Sequence, residues 1–177
     1  LLGHSMGGMI AQRAYDYLPE RIHGLVLSAT SAAFGGRGGD WQEKFVSDRV
    51  APLDTGLTIP QYAPKMLQKM MNPDAEGSAV ELVLQVVSRM REETFRAAIE
   101  AITHFEGRDI LPKMNIPVLC IAGALDLTAA PPLVMEKMAN KITNAEYQCM
   151  SNVGHFGWAE NPQEFNQLVI DFIQRKF

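Results

Sequence analysis

The chain opens Leu1-Leu2-Gly3-His4-Ser5-Met6-Gly7-Gly8, and the reading of this stretch decides the fold. Two apolar residues stop at a glycine. From Met6 the pattern turns helical, with Ile10, Ala14, Tyr17 and Leu18 near one face until Pro19 closes it. A serine on the sharp turn between a strand and a helix must take strained backbone angles. Side chains beside it would collide, which accounts for Gly3 and Gly7 on either side. Such a turn lifts the serine Oγ above the sheet. It also aims the Met6 N–H, at the helix start, where an oxyanion would form. Ser5 is therefore the candidate nucleophile and Met6 the candidate oxyanion donor.

Working outward, His23-Gly24 reads as a turn, and Leu25-Val26-Leu27 as a short strand buried on both faces of a parallel sheet. Strands are predicted again over 117–122, ending at Gly123, and over 145–150. Helices are predicted over 131–138, with prolines at the start, and over 162–172, where Phe165, Leu168, Val169 and Phe172 share a face. Everything from about 41 to 105 reads as helical, in pieces 60–71, 78–90 and 92–105, with Asn72-Pro73 as a break. The Val-rich piece 78–90 also admits a strand. The organisation is an α/β parallel sheet with helices on both faces and a helical insertion. The predicted boundaries are 1–40 for the first part of the core, 41–106 for the insertion and 107–177 for the second part. Gly35-Gly36-Arg37-Gly38-Gly39 reads as a hinge or loop. A phosphate-cradling loop fits poorly, because no G-K-[ST] follows and no strand leads into it.

A nucleophilic serine needs a base, and the base needs an orienting acid. Asp126 and His155 each follow a predicted strand directly, at the sheet edge where open α/β folds build their sites. Asp126 also fits the N-cap of the following segment. Asp109 and Asp171 are worse placed, and Asp54 lies in the insertion. The chain order is Ser5, Asp126, His155.

Taken together, these features resemble the α/β-hydrolase family, from its nucleophile elbow onward. The landmarks are Gly3–Gly7, Ile116-Pro117-Val118-Leu119 leading to Gly123 and Asp126, and Gly154-His155 followed by Glu160-Asn161-Pro162. Within the family, the capped layout is most similar to esterases and lactonases that include 3-oxoadipate enol-lactonases. The serine sets it apart from branches whose nucleophile is an aspartate. The resemblance implies a serine hydrolase acting on a small-molecule ester, lactone or related acyl compound, with no metal or organic cofactor. It also implies strands upstream of the elbow, a longer strand into the serine, and a second oxyanion donor from an upstream loop. The chain is therefore expected to be a piece of a longer one, with an apolar sheet edge uncovered. Three other readings stay open: a ligand-binding protein that keeps the triad, a carbon–carbon bond hydrolase or haloperoxidase-like enzyme, and an inactive fragment.

Composition narrows the setting. The chain has 177 residues, 47% of them hydrophobic and 20% charged, which suits one domain with a real core. The net charge of −4 argues against nucleic acid or an anionic membrane as partner. No apolar run is long enough for a membrane span. Cys120 and Cys149 have no metal spacing, and both are expected as buried free thiols on neighbouring strands, in a cytoplasmic protein. His4 is expected to be structural and to point away from the Ser5 Oγ, while His23 and His104 are expected on the surface or in packing. Met66, Met70, Met71 and Met90 are expected as ordinary helix packing, with a soft substrate lining as the alternative. Trp158 is expected to pack rather than to face substrate.

Overall fold

The computed structural model describes residues 1–34 and 40–177, with Trp41 described by its backbone alone. The glycine cluster at 35–39 lies outside the described residues.

Four parallel strands lie in the order β1 (Leu2–His4), β2 (Leu25–Ser28), β3 (Val118–Gly123) and β4 (Ala145–Met150). The register is Gly3↔Leu27, Leu27↔Cys120 and Cys120↔Tyr147. Parallel neighbours need crossovers. Helix α1 (Met6–Tyr17) joins β1 to β2, and α6 (Pro132–Ala139) joins β3 to β4. Both pack on one face: Ala11 and Tyr15 of α1 and Met135 and Met138 of α6 meet Leu25, Leu27 and Cys120. The alternate residues Val26, Leu119 and Ile121 face the other side, where Phe165 and Phe172 of α8 (Pro162–Lys176) cover them. The predicted sheet with helices on both faces is what forms.

Between β2 and β3 run α2 (Asp40–Asp54), α3 (Ile59–Gln68), α4 (Ser78–Ser88) and α5 (Glu92–His104). They share their own core of Leu53, Ile59, Ala63, Val87, Phe95 and Ile99. Residues 78–88 are helical despite their valines, because Val80, Val83 and Val87 fall on one buried face at helical spacing. Helix α3 ends at Gln68, short of the expected 71. Met70 N–H and Met71 N–H bond to the Leu67 and Gln68 carbonyls as the chain turns toward the His155 loop.

This helical segment leaves and rejoins the α/β part at one place. A bridge pairs Ala33 with Glu106, Gly107 N–H donates to the Ala32 carbonyl at 2.7 Å, and Phe34 N–H reaches the Phe105 carbonyl at 3.4 Å. Among the described residues strand β1 is paired on one side only, and Leu1 and Leu2 are exposed. Helix α7 (Gly157–Glu160), a single turn after His155, has no counterpart in the sequence reading.

Candidate active site

Ser5 lies between β1 and α1 with φ 53° and ψ −121°, a backbone that L-residues rarely adopt. The surroundings hold it there. Ser5 N–H donates to the Ser28 carbonyl at 2.9 Å, and Thr30 Oγ1 donates to the Ser5 carbonyl at 2.7 Å. A Cβ at Gly3 would collide with the Gly7 carbonyl, so the first glycine of the turn is obligatory. At Gly7 a Cβ would meet open space. The collision expected on both sides of the serine thus holds at Gly3 alone. Helix α1 begins at Met6, whose N–H is among the first-turn donors that lack an intrahelical acceptor.

Asp126 follows β3 and is buried. Its Oδ1 accepts from Ala129 N–H and its Oδ2 from Ala130 N–H, both at 3.0 Å. Its Oδ2 lies 2.6 Å from His155 Nδ1. Burial opposes the charge, but the hydrogen bonds from His155 and the two backbone N–H groups outweigh it and hold the carboxyl below its ordinary range. His155 follows β4 and is equally buried. Its Nε2 lies 2.9 Å from Ser5 Oγ. The three residues singled out from the sequence form one continuous chain of contacts, although Ser5 and His155 stand 150 positions apart. With Asp126 accepting at Nδ1–H, the unprotonated Nε2 faces the serine hydroxyl and can take its proton.

Two neighbours of His155 were not singled out for this role. His4 donates or accepts at Nδ1 with Ser28 Oγ at 3.3 Å, and its ring packs 5.0 Å from the His155 ring. Burial, and then the proximity of His155, push its pKa down to about 3, so His4 is neutral at physiological pH. Glu160 is the second. Its carboxylate accepts from Gly154 N–H at 2.9 Å, Phe156 N–H at 2.8 Å and Asn72 N–H at 2.7 Å. It thereby ties both flanks of His155 to the turn after α3. His155 N–H itself donates to the Met70 carbonyl at 2.8 Å. The position of Glu160 after Gly154-His155 is the sequence signal that points to it.

Above Ser5 and His155, side chains of α2–α5 line a cavity of about 440 Å³ that is partly open to solvent. Its wall includes Met66, Met70, Val83, Val87, Ile99 and Trp158. Of the four methionines expected as helix packing, Met66, Met70 and Met90 reach this wall, while Met71 packs against Phe156 and Val83. Trp158, expected only to pack, does so and also faces the cavity. Both follow from the path of the chain, which brings α3 and α7 together across the site. Cys120 is buried and Cys149 exposed, and both are free. The expectation of a buried Cys149 fails: it lies near the C-terminal end of β4, the last strand of the sheet, beyond Ala145 and Tyr147, which pack against the core. Among the described residues no group of acidic, His or Cys side chains could hold a metal ion, and no helix is long and apolar enough to cross a membrane.

Parallel strands sandwiched by helices, with a strained serine, a histidine and an acid gathered at the strands' C-terminal edge, define an α/β protein of the nucleophile-elbow type. The chain belongs to the alpha/beta hydrolase family, whose model matches residues 1–168. It is 23% identical to a pimeloyl-[acyl-carrier protein] methyl ester esterase of Neisseria meningitidis, covering 98% of this chain and 68% of that protein. It is 28% identical to 3-oxoadipate enol-lactonase 2 of Acinetobacter baylyi, covering 98% of this chain and 62% of that protein. Among solved structures, the enol-lactonase from Burkholderia xenovorans LB400 superposes with a TM-score of 0.81 at 24% identity, over 98% of this chain and 64% of that one. The chain thus spans about two thirds of the length of the proteins it matches.

Proposed function

We propose that this chain carries the catalytic residues of a serine hydrolase that cleaves a carboxylic ester, lactone or related acyl substrate. The observation behind the reading is the unbroken contact from Ser5 Oγ to His155 Nε2 at 2.9 Å and from His155 Nδ1 to Asp126 at 2.6 Å. In this mechanism His155 takes the hydroxyl proton as Ser5 attacks the carbonyl carbon. Asp126 fixes the imidazole tautomer and stabilises the imidazolium. The Met6 N–H donates to the oxyanion of the tetrahedral intermediate. His155 returns the proton to the leaving oxygen, leaving an acyl-Ser5 ester, and then activates the water that releases the acid.

The segment 41–106 acts as a cap on a core made of 1–40 and 107–177. Its apolar cavity suits a hydrocarbon acyl or ring group, in keeping with the methyl ester and enol-lactone substrates named for two relatives. The free thiols of Cys120 and Cys149 support a cytoplasmic setting. Fluorophosphonate labelling read by intact mass tests the proposal. One adduct is expected on the parent and none on Ser5→Ala, whose turnover of any ester substrate should fall by about 10⁴ or more. A folded parent that takes no adduct would overturn the reading.

A further inference from the structure

Arg49 has no place in the chemistry just described. It lies on α2 and contributes to the wall of the cavity above Ser5. Its guanidinium carbon sits over the Phe45 ring, 3.4 Å from the centroid, and Phe45 is itself part of that wall. Stacking of this kind fixes the plane of the guanidinium and leaves its edge donors in place for a ligand.

Those donors are poorly used. Among the described residues its hydrogen bond runs from Nη1 to the Phe45 carbonyl at 3.5 Å, the limit of the interaction. Among the described residues Arg49 forms no ion pair; Arg21 and Arg89 form none either, but Arg49 is the one that reaches the cavity wall. Neighbouring Asp48 is on the solvent side, paired with Lys44 at 2.8 Å. Aside from the two histidines beside the serine, the rest of the wall is uncharged among the described residues.

A half-buried guanidinium with no carboxylate in ion-pair contact among the described residues costs desolvation on an apolar wall, which an anionic ligand would offset. Burial pushes the Arg49 pKa down against the opposing influence of Tyr62 and Asp48, and an arginine stays protonated in proteins. The planar fork matches a carboxylate with two parallel N–H···O bonds.

Resting on the hydrolase reading, we propose that Arg49 is a specificity-determining residue that binds a free carboxylate at the far end of the acyl chain. The substrate is then an ester or lactone with an apolar middle and an anionic terminus. The same fork would hold the product acid after hydrolysis.

Binding, not turnover, separates this inference from the catalytic one. The probes are suberamic acid and octanamide, two eight-carbon amides that the enzyme is not expected to cleave and that differ by one terminal carboxylate. Affinities are measured by calorimetry on the parent, Arg49→Met and Arg49→Lys, each checked for a cooperative thermal melt. The parent is expected to prefer suberamic acid by about tenfold, the range of a partly exposed charge-assisted pair. The ratio should fall to about one in Arg49→Met and recover in part in Arg49→Lys, which keeps the charge but not the fork. A parent with no preference, including one that binds neither probe, overturns the proposal. So does a preference that survives in Arg49→Met. A chain that escapes fluorophosphonate labelling yet keeps the Arg49-dependent preference would lose the hydrolase reading and retain this one.

Discussion

At Ser5 a φ of 53° is held by hydrogen bonds to the Ser28 carbonyl and from Thr30 Oγ1, so the local strain is balanced by the end of β2 and the residues that follow it. His4, the preceding residue, adds a pH term. Its pKa falls from 6.5 to about 3 on folding, so between these values the unfolded chain binds a proton that the folded chain refuses. Its contribution is therefore fully present above pH 6.5 and is lost as pH falls toward 3. Asp126, with its carboxyl held low, adds a loss that begins only near the ordinary carboxylate pKa of 3.8. Urea titrations should show stability declining from about pH 6.5 downward, and His4→Gln should flatten the upper part of that decline while leaving the part below pH 4. Ser5, Asp126 and His155 stand out in the sequence as candidates because each follows an apolar run at a strand's end, a local signal. It did not show the packing of His4 on His155, because that contact depends on how β1 and β4 are placed in the sheet. Arg49 was illegible for the same reason: nothing in Asp48-Arg49-Val50 marks which side of α2 faces the cavity.

Among elements, boundaries followed where local chemistry fixes them. Pro19 ends α1, and Pro162 behind the Asn161 cap begins α8, with Asn161 Oδ1 accepting from Glu164 N–H at 3.2 Å. Helix α7 escaped notice because a four-residue turn carries no periodicity. Yet it delivers Glu160 to three backbone N–H groups on both sides of the site. Glu160→Gln, which keeps an acceptor but loses the charge, is expected to cost about 1 kcal/mol of stability, and Glu160→Ala about 3 kcal/mol. If the carboxylate also positions His155, both variants should lower kcat more than they raise KM, and Gln should restore part of the loss. A purely structural role would lower the melting temperature and leave kcat unchanged. The strands supply a second check. Burial pushes the Cys120 thiol up to about 12, while Cys149 is exposed. One thiol should react promptly with an aromatic disulfide reagent in the native protein, and two in denaturant. Cys149→Ser should abolish the native reaction.

Across the whole molecule, the alternation of strands and helices on either side of a long helical stretch was enough to give the layered sheet. What the alternation could not give was where that helical stretch lies. Its placement is set by contacts between residues far apart, such as Met71 with Phe156 and Asn72 with Glu160. These bring α3 over the histidine loop, and they turn helix-packing methionines into cavity wall.

The junction at Ala33 and Glu106 bears on how the sheet assembles. Pairings β1–β2 and β3–β4 join neighbours in sequence, but Leu25↔Val118 closes a loop of roughly 90 residues. If α2–α5 fold first and tie their two ends, the loop left to close shrinks to roughly 20 residues, and the entropic saving is about 1.4 kcal/mol. Helices α2–α5 would then also act as a splint for the central strand pair. The junction should be formed in the folding transition state. Phe34→Pro, which removes the N–H given to Phe105, is therefore expected to slow refolding more than it speeds unfolding in stopped-flow chevrons. The opposite partition would mean that β2 and β3 find each other across the full length of the insertion.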